Sequence, residues 1–400
     1  MDALTTPSNW QRVRLGDVAE IIGGGTPSTQ VTSFWNGSIN WFTPTEIGIT
    51  KYVYKSQRTI TLLGLKKSSA KLLPIGTILL TSRASIGDCA ILKVVATTNQ
   101  GFQSLIPLEK INNEFLYYLI LTLKNKLLEL ASGSTFLEVS PNKIKNLLIP
   151  LPPLNEQIAI ANILSDVDHY LYSLRALILK KESVKKALSF ELLSQRKRLK
   201  GFNQAWQKVR LGTYKYRRGS FPQPYGNPQW YSDNGMPFVQ VYDVGENFKL
   251  TQKTKQKISK IAQPMSVFVP KNSVIITLQG TIGRVALTQY DCYCDRTILI
   301  FDNNTLNDVN KYFFVLSLFT KFEEEKRKAD GSIIKTITKQ TLKDFEILLP
   351  PLNEQIAIAN ILSDLDNEII SLKNKKRQFE NIKKALNHDL MSTKIRVLNK

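Results

Sequence analysis

Apolar and polar positions along this chain follow two rhythms, and each rhythm occurs twice. In residues 10–150, short β-branched and apolar runs at 39–43, 77–81, 90–95 and 147–151 are cut by Gly and Pro, as strands are. Residues 113–130 carry apolar side chains at helical spacing and predict one helix. Residues 206–349 repeat the scheme, with residues 309–322 as the helix. Each stretch predicts an α+β globule with an irregular, turn-rich sheet.

From residue 155 to about residue 199 the rhythm changes. Pro152-Pro153 ends the preceding strand, Asn155 is the expected N-cap, and Glu156 sits near the positive end of the helix dipole. Neither Gly nor Pro follows until Gly201. Apolar residues step in sevens through Leu164, Leu171, Ile178 and Leu192, and through Val167, Leu174 and Leu188; Lys185 and Lys181 interrupt the two rows. The second copy steps through Leu362, Ile369 and Leu390, and through Leu365, Leu372, Phe379 and Leu386. This is a coiled-coil pattern. At 1.5 Å per residue such a helix spans on the order of 65 Å. If the copies pair about a pseudo-two-fold axis, the helices run antiparallel with a globule at each end, and the C-terminus returns toward the N-terminus.

The two halves share an origin. PPLNEQIAIANILSD stands at residues 152–166 and again at 350–364, an offset of 198 residues. Nearly the same offset relates WQRVRLG at 10–16 to WQKVRLG at 206–212, residues 77–91 to 273–287, and Asn99-Gln100 to Asp295-Arg296. It also relates ASGS at 131–134 to ADGS at 329–332. GGGTP at 23–27 faces the unlike RRGS at 217–220. The expected layout is globules at 1–150 and 201–349, each followed by a helix, at 151–200 and 350–400. The fold class is therefore α+β: two globular domains joined by two long helices in an antiparallel coiled coil, a tandem duplication.

Charge narrows the function. The 400 residues hold 54 Lys and Arg against 33 Asp and Glu, a formal charge of +21. Such a balance points to a polyanion, most often nucleic acid. Residues 173–202 and 371–400 each hold nine basic and two acidic residues, so 14 of the 21 net charges lie on the two helices. Two His and three Cys leave little room for His- or Cys-based chemistry. The longest apolar run, residues 115–123, is far short of the roughly 20 residues a membrane span needs. No basic-then-apolar leader opens the sequence, and with few cysteines this predicts a reducing cytoplasm.

Catalytic motifs fail in turn. There is no dinucleotide fingerprint and no P-loop. Asn227-Pro228 is followed by Gln, not by the Pro-aromatic pair of amino-methyltransferases. Glu324-Glu325-Lys326 lies in a charge run and reads as a surface helix. Ser140 and Lys143 fit a four-letter S-x-x-K. Cys292 and Cys294 have no second pair or nearby His to complete a zinc site. His169 and His388 are expected to face solvent. No catalytic or metal-binding residue is therefore assigned. Base reading needs Arg, Lys, Asn, Gln or Ser on loops. The shared loops offer Ser82, Arg83, Asn99 and Gln100 in the first globule and Gln279 and Arg296 in the second. The Gly-containing loops add Ser132, Ser134, Thr135 and Ser332, and the RRGS turn adds Arg217 and Arg218. Trp35, Trp41 and Trp230 are expected in the core.

L-P-P-L-x-E-Q opening a long helix, at 151–157 and 349–355, after a globule that begins W-Q-x-V-R-L-G, closely resembles the specificity subunit of type I restriction–modification enzymes. The resemblance covers essentially the whole chain. It implies two target-recognition domains that read an asymmetric bipartite site in double-stranded DNA, on a subunit without catalytic activity. It implies two modification subunits, which bind S-adenosylmethionine and methylate adenine, and two restriction subunits, which use ATP and Mg. The helices would be the docking surface, with Asn155, Glu156, Gln157, Asn353, Glu354 and Gln355 as its candidates. The competing classes are a stand-alone methyltransferase or nuclease and a nonspecific DNA-binding scaffold.

Overall fold

Strand Gln11–Arg14 pairs antiparallel with Leu148–Leu151, tying the two ends of the first globule together just before the long helix begins. Gln207–Arg210 and Glu346–Leu349 do the same in the second globule. These strands carry the repeated WQ-x-VRLG segment and the residues before L-P-P-L, so the duplicated letters mark the closure of each domain. The computed structural model describes residues 9–132, 137–245, 247–280, 282–328 and 339–397. They form two units: one holds residues up to Leu177 and those from Lys373 onward, the other holds Ile178–Leu372.

The sheets repeat as well. In the first unit, Ala19–Gly23, Gln103–Pro107, Ile78–Leu80, Cys89–Leu92 and Tyr52–Val53 make one sheet; Arg58–Ile60, Trp35–Phe42 and Ala96–Thr98 make another. In the second unit, Tyr216–Arg218, Ile298–Phe301, Val274–Thr277 and Val285–Leu287 form one sheet, and Gln256–Ile258, Tyr231–Val239, Cys292–Cys294 and Val267–Val269 the other. Both globules contain a parallel pair, Trp35–Phe42 with Ala96–Thr98 and Tyr231–Val239 with Cys292–Cys294. That pair brings the ends of its two strands to one edge, where the loops discussed below meet.

A helix covers the five-stranded sheet of the first unit, and another covers the sheet of the second unit that contains Val285–Leu287. The expected single helix over 113–130 is two, Asn113–Thr122 and Lys124–Leu130. Leu123 sits at φ −90°, ψ 0°, outside helical geometry. The break keeps both Leu123 and Leu127 in the core that holds Phe115 and Tyr118. The counterpart, Lys311–Lys328, is unbroken and buries Phe313, Phe314 and Phe322.

Helices Leu154–Leu193 and Leu352–Met391 are each 40 residues long. The first starts one residue before the expected cap, so Asn155 lies inside it. The Pro153 carbonyl accepts from the N–H groups of Glu156 and Gln157, both at 3.0 Å, and opens the helix instead. Within each unit the two helices run antiparallel. In the first, Lys383 pairs with Asp168 and Tyr170 stacks on Phe379 at 4.6 Å, while Leu164 and Leu390 share one core. In the second, Lys185 pairs with Asp366 and Lys181 with Glu368 at 2.8 Å. The two lysines that interrupt the heptad rows are therefore ion-pair partners across the helices, and part of the dense positive charge is neutralised there.

Candidate nucleic-acid interface

Four short segments meet at the same place in each globule. Asn99 ends the parallel pair in the first. Its N–H donates to the Phe42 carbonyl at 3.0 Å, and its Oδ1 accepts from the Gly101 N–H at 2.9 Å. This Asx turn leaves Gln100 exposed at the tip. Asp295 is built in the same way: its N–H donates to Val239 at 3.0 Å, and its Oδ1 accepts from the Thr297 N–H at 2.9 Å. Arg296 is the exposed tip.

The other three segments hold these turns from the sides. The N–H groups of Ser82 and Leu278 donate to the carbonyls of Gly101 and Thr297, both at 2.8 Å. Short 3-10 turns follow the long strands: Thr43 caps one through the Glu46 carboxylate at 2.8 Å, and Gln240 caps the other through Asp243 at 2.9 Å. These turns leave Thr45 and Tyr242 exposed. A glycine completes each cluster. A Cβ on Gly24 would lie 1.9 Å from the Asn99 carbonyl oxygen, and a Cβ on Gly219 would lie 2.3 Å from the carbonyl oxygens of Cys294 and Asp295. The unlike strings GGGTP and RRGS thus supply one glycine for one purpose, close approach of two backbones. Gly219→Ala is expected to force the 294–296 turn aside and to cost about 1–3 kcal/mol, as overpacking does. Chemical denaturation checks this, and an unchanged midpoint would count against the contact.

The tips differ in chemistry. The Gln100 Oε1 accepts from the Thr26 hydroxyl. Arg296 places its guanidinium 5.3 Å from the centre of the Tyr225 ring. Tyr225 donates to the Asp295 carboxylate; burial first, then that hydrogen bond, push its phenol above the ordinary value. Tyr225, Gln240, Tyr242, Arg296 and Thr297 line a shallow cleft.

The other expected contacts are placed as follows. Ser82 is buried and its hydroxyl donates to the Gly101 carbonyl, so it supports the turn rather than presenting a group outward. Arg83 follows it and pairs with Glu138 at 3.0 Å. Ser132 is exposed and accepts from the Lys143 ammonium at 3.0 Å. Gln279 is exposed beside Gly280, which takes a positive φ of 70°. Arg217 and Arg218 are exposed on strand Tyr216–Arg218, and Arg217 donates to the Phe268 carbonyl at 3.1 Å. Ser134, Thr135 and Ser332 lie outside the described residues. Trp35 and Trp41 are core residues. Sequence reasoning missed Thr45, Tyr225, Gln240 and Tyr242. The signal within reach was TPTE at 43–46 against QVYD at 240–243, each with an acid three residues after a cap.

The helix starts face inward, contrary to the expectation of a free docking surface. Glu156, Gln157, Glu354 and Gln355 are all buried, so they are not a free docking face. Gln157 accepts from the Asn112 N–H at 2.8 Å and donates to Lys110 and Pro152 carbonyls; Gln355 accepts from Asn310 at 2.9 Å and donates to Pro350. Glu156 accepts from the Trp10 indole at 3.1 Å and from Arg396 at 3.1 Å. Glu354 accepts from Trp206 at 3.2 Å and from Arg198 at 2.6 Å. The two arginines stand one repeat apart, each just beyond the end of the opposite helix. Asn155 and Asn353 remain exposed. Leu154, Ile158 and Ile163 are exposed beside Asn155, as are Leu352, Ile356 and Ile361 beside Asn353; Ile158 and Ile356 are each 42% exposed.

Further along, Tyr118 donates to Asp168 at 2.6 Å and Tyr312 donates to Asp366, so each helix aspartate serves both a globule tyrosine and a lysine of the other helix. Lys51 joins the first network through Ser165 at 2.8 Å and through Glu114. Burial lowers its pKa, and Glu114 opposes the shift.

Ser140 of the S-x-x-K string caps the short helix Pro141–Lys145. Glu325 pairs with Lys321 at 2.8 Å and Lys326 with Glu323 on helix Lys311–Lys328. Cys292 and Cys294 are buried and free. Among the described residues no group of His, Cys, Asp and Glu could hold a metal, and no helix is long and apolar enough to cross a membrane.

A family model described as "Type I restriction modification DNA specificity domain" matches residues 7–181 and 223–381. The MjaIX specificity subunit of the type I restriction enzyme of Methanocaldococcus jannaschii is 28% identical over 421 residues, covering 98% of this chain and 94% of its own. The EcoR124I/EcoR124II specificity subunit of Escherichia coli is 37% identical over 161 residues, 38% of this chain and 40% of its own. The crystal structure of the S subunit of a type I restriction–modification system from M. genitalium superposes with a TM-score of 0.61 at 16% identity, covering 97% of each chain.

Proposed function

Because the chain belongs to the family of type I restriction–modification DNA specificity domains, we propose that it recognises an asymmetric, bipartite site in double-stranded DNA, one block per globule, and directs partner subunits to it. The observation that carries this reading is the loop cluster built twice on one scaffold with different tips, Gln100 and Arg296. A symmetric pair would read a palindrome; diverged tips read two different blocks. The exposed lysines and arginines of the long helices supply grip on phosphates that is blind to sequence.

The chain itself performs no chemistry in this reading. Two modification subunits bring S-adenosylmethionine and methylate adenine, and two restriction subunits bring ATP and Mg. Docking of the modification subunits falls to the exposed apolar pair on one face of each helix start, Leu154 and Ile158 with their repeat counterparts Leu352 and Ile356. The pair occurs twice with the same residue types and closely similar exposure, which suits two copies of one partner.

Mapping methylated adenines in cells that carry the complex is expected to return two short specified blocks separated by an unspecified gap. A continuous motif, or none, would refute the bipartite reading. Methyl transfer by the lone purified chain supplied with S-adenosylmethionine would refute the non-catalytic one.

A further inference from the structure

The two loop clusters keep their frames and differ at their tips, and that contrast identifies the reading position. The Asx acceptor, the glycine that lets backbones touch, the capped 3-10 turn and the backbone donor from residue 82 or 278 are present in both globules. At the tip of that frame, the exposed residue between the acceptor and its donor changes from Gln to Arg. A frame that holds a tip in place while the tip varies is what base discrimination requires, since a phosphate contact gains nothing from such variation.

We propose that residues 100 and 296 are the base-specifying positions of the two half-sites, with Gln100 reading an adenine and Arg296 a guanine in the major groove. This rests on the DNA-recognition role proposed above. Arg296 has no carboxylate partner among the described residues. The adjacent Asp295 is held by Tyr225 and Thr297, and the tyrosine ring lies under the guanidinium. The planar fork is therefore oriented and free to donate two hydrogen bonds to guanine O6 and N7. Gln100 has its carbonyl oxygen fixed by Thr26. That oxygen has a second lone pair for the adenine 6-amino group, and the amide N–H is left to donate to N7.

The test uses the whole complex in cells, with methylated adenines mapped for the natural chain, Arg296→Gln, Arg296→Lys and Gln100→Arg. Arg296→Gln is expected to change one position of one block from guanine to adenine and to leave the other block intact. Gln100→Arg is expected to do the converse in the other block. Arg296→Lys keeps the charge and loses the fork, so it should relax the guanine requirement without a new choice.

Where a variant gives no methylation, the purified complex is competed against duplexes randomised in that block. A preference shifted by about tenfold or more at a single position supports the assignment. Uniformly weaker binding with the motif unchanged would make these tips phosphate contacts, and loss of preference in both blocks would make them structural; either result overturns the inference. If the natural complex gives no bipartite motif, it is the recognition role itself that fails.

Discussion

Arg198→Ala is expected to weaken the Ile178–Leu372 unit by about 3–5 kcal/mol, because it leaves the buried carboxylate of Glu354 without its cation. The Glu354 side chain is 1% exposed, and its remaining partner, the Trp206 indole, is a neutral donor. Glu354→Gln should be milder. The amide still accepts from the indole, and the Arg198 side chain, 27% exposed, can turn to water. Arg396→Ala repeats the experiment in the other unit, against Glu156 and Trp10. Amide hydrogen exchange resolved by unit is the measurement. Protection should fall chiefly in the unit that holds the altered pair. Equal protection for Arg198→Ala and the natural chain would show that the pair is not a clamp.

The second large effect concerns assembly. Placing Asp at both 158 and 356 is expected to abolish capture of the modification subunit, with folding intact because both side chains already face solvent. Each substitution puts a charge into the centre of an apolar contact, and the loss of one anchor there is worth about 2 kcal/mol or more. A single substitution should leave one partner bound and one lost, read as a change of stoichiometry by mass measurement. Assembly with unchanged stoichiometry in the double variant would remove this face as the docking site. Glu156 and Gln157 are unsuited to such a test, since their loss would unseat the helix instead.

The duplication, the two globules and the two helices were legible because repetition and period are properties of the string. The identical fifteen residues fixed both helix starts to within a residue. What they hid was purpose: Glu156 and Gln157 look like surface residues on a first helical turn, and only their partners, Trp10, Arg396 and Asn112, show that they face inward. Lys181 and Lys185 looked like faults in a heptad for the same reason, since their meaning lies on the opposite helix. At the candidate site, Asn99, Gln100 and Arg296 were found because the offset aligned them. Tyr225 was not, because its segment has no counterpart of similar spelling, and Tyr242 was not, because TPTE and QVYD share only the acid three residues after the cap. Gly24 and Gly219 share a role that no alignment of GGGTP with RRGS would reveal. Backbone proximity, unlike periodicity, leaves no mark on a single strand of letters.

The crossed arginines have a consequence for synthesis. Glu156 leaves the ribosome long before Arg396, so the first unit cannot close until translation has passed nearly the whole distance between them. A chain interrupted within the second globule would carry a complete set of first-globule loops but an open helix start with a bare buried acid. Such a fragment should be a substrate for proteolysis before it can occupy DNA. Stability is thus expected to be withheld from any product that ends before the second helix and its arginine, and the proteolysis of truncated chains is the measurement that checks it.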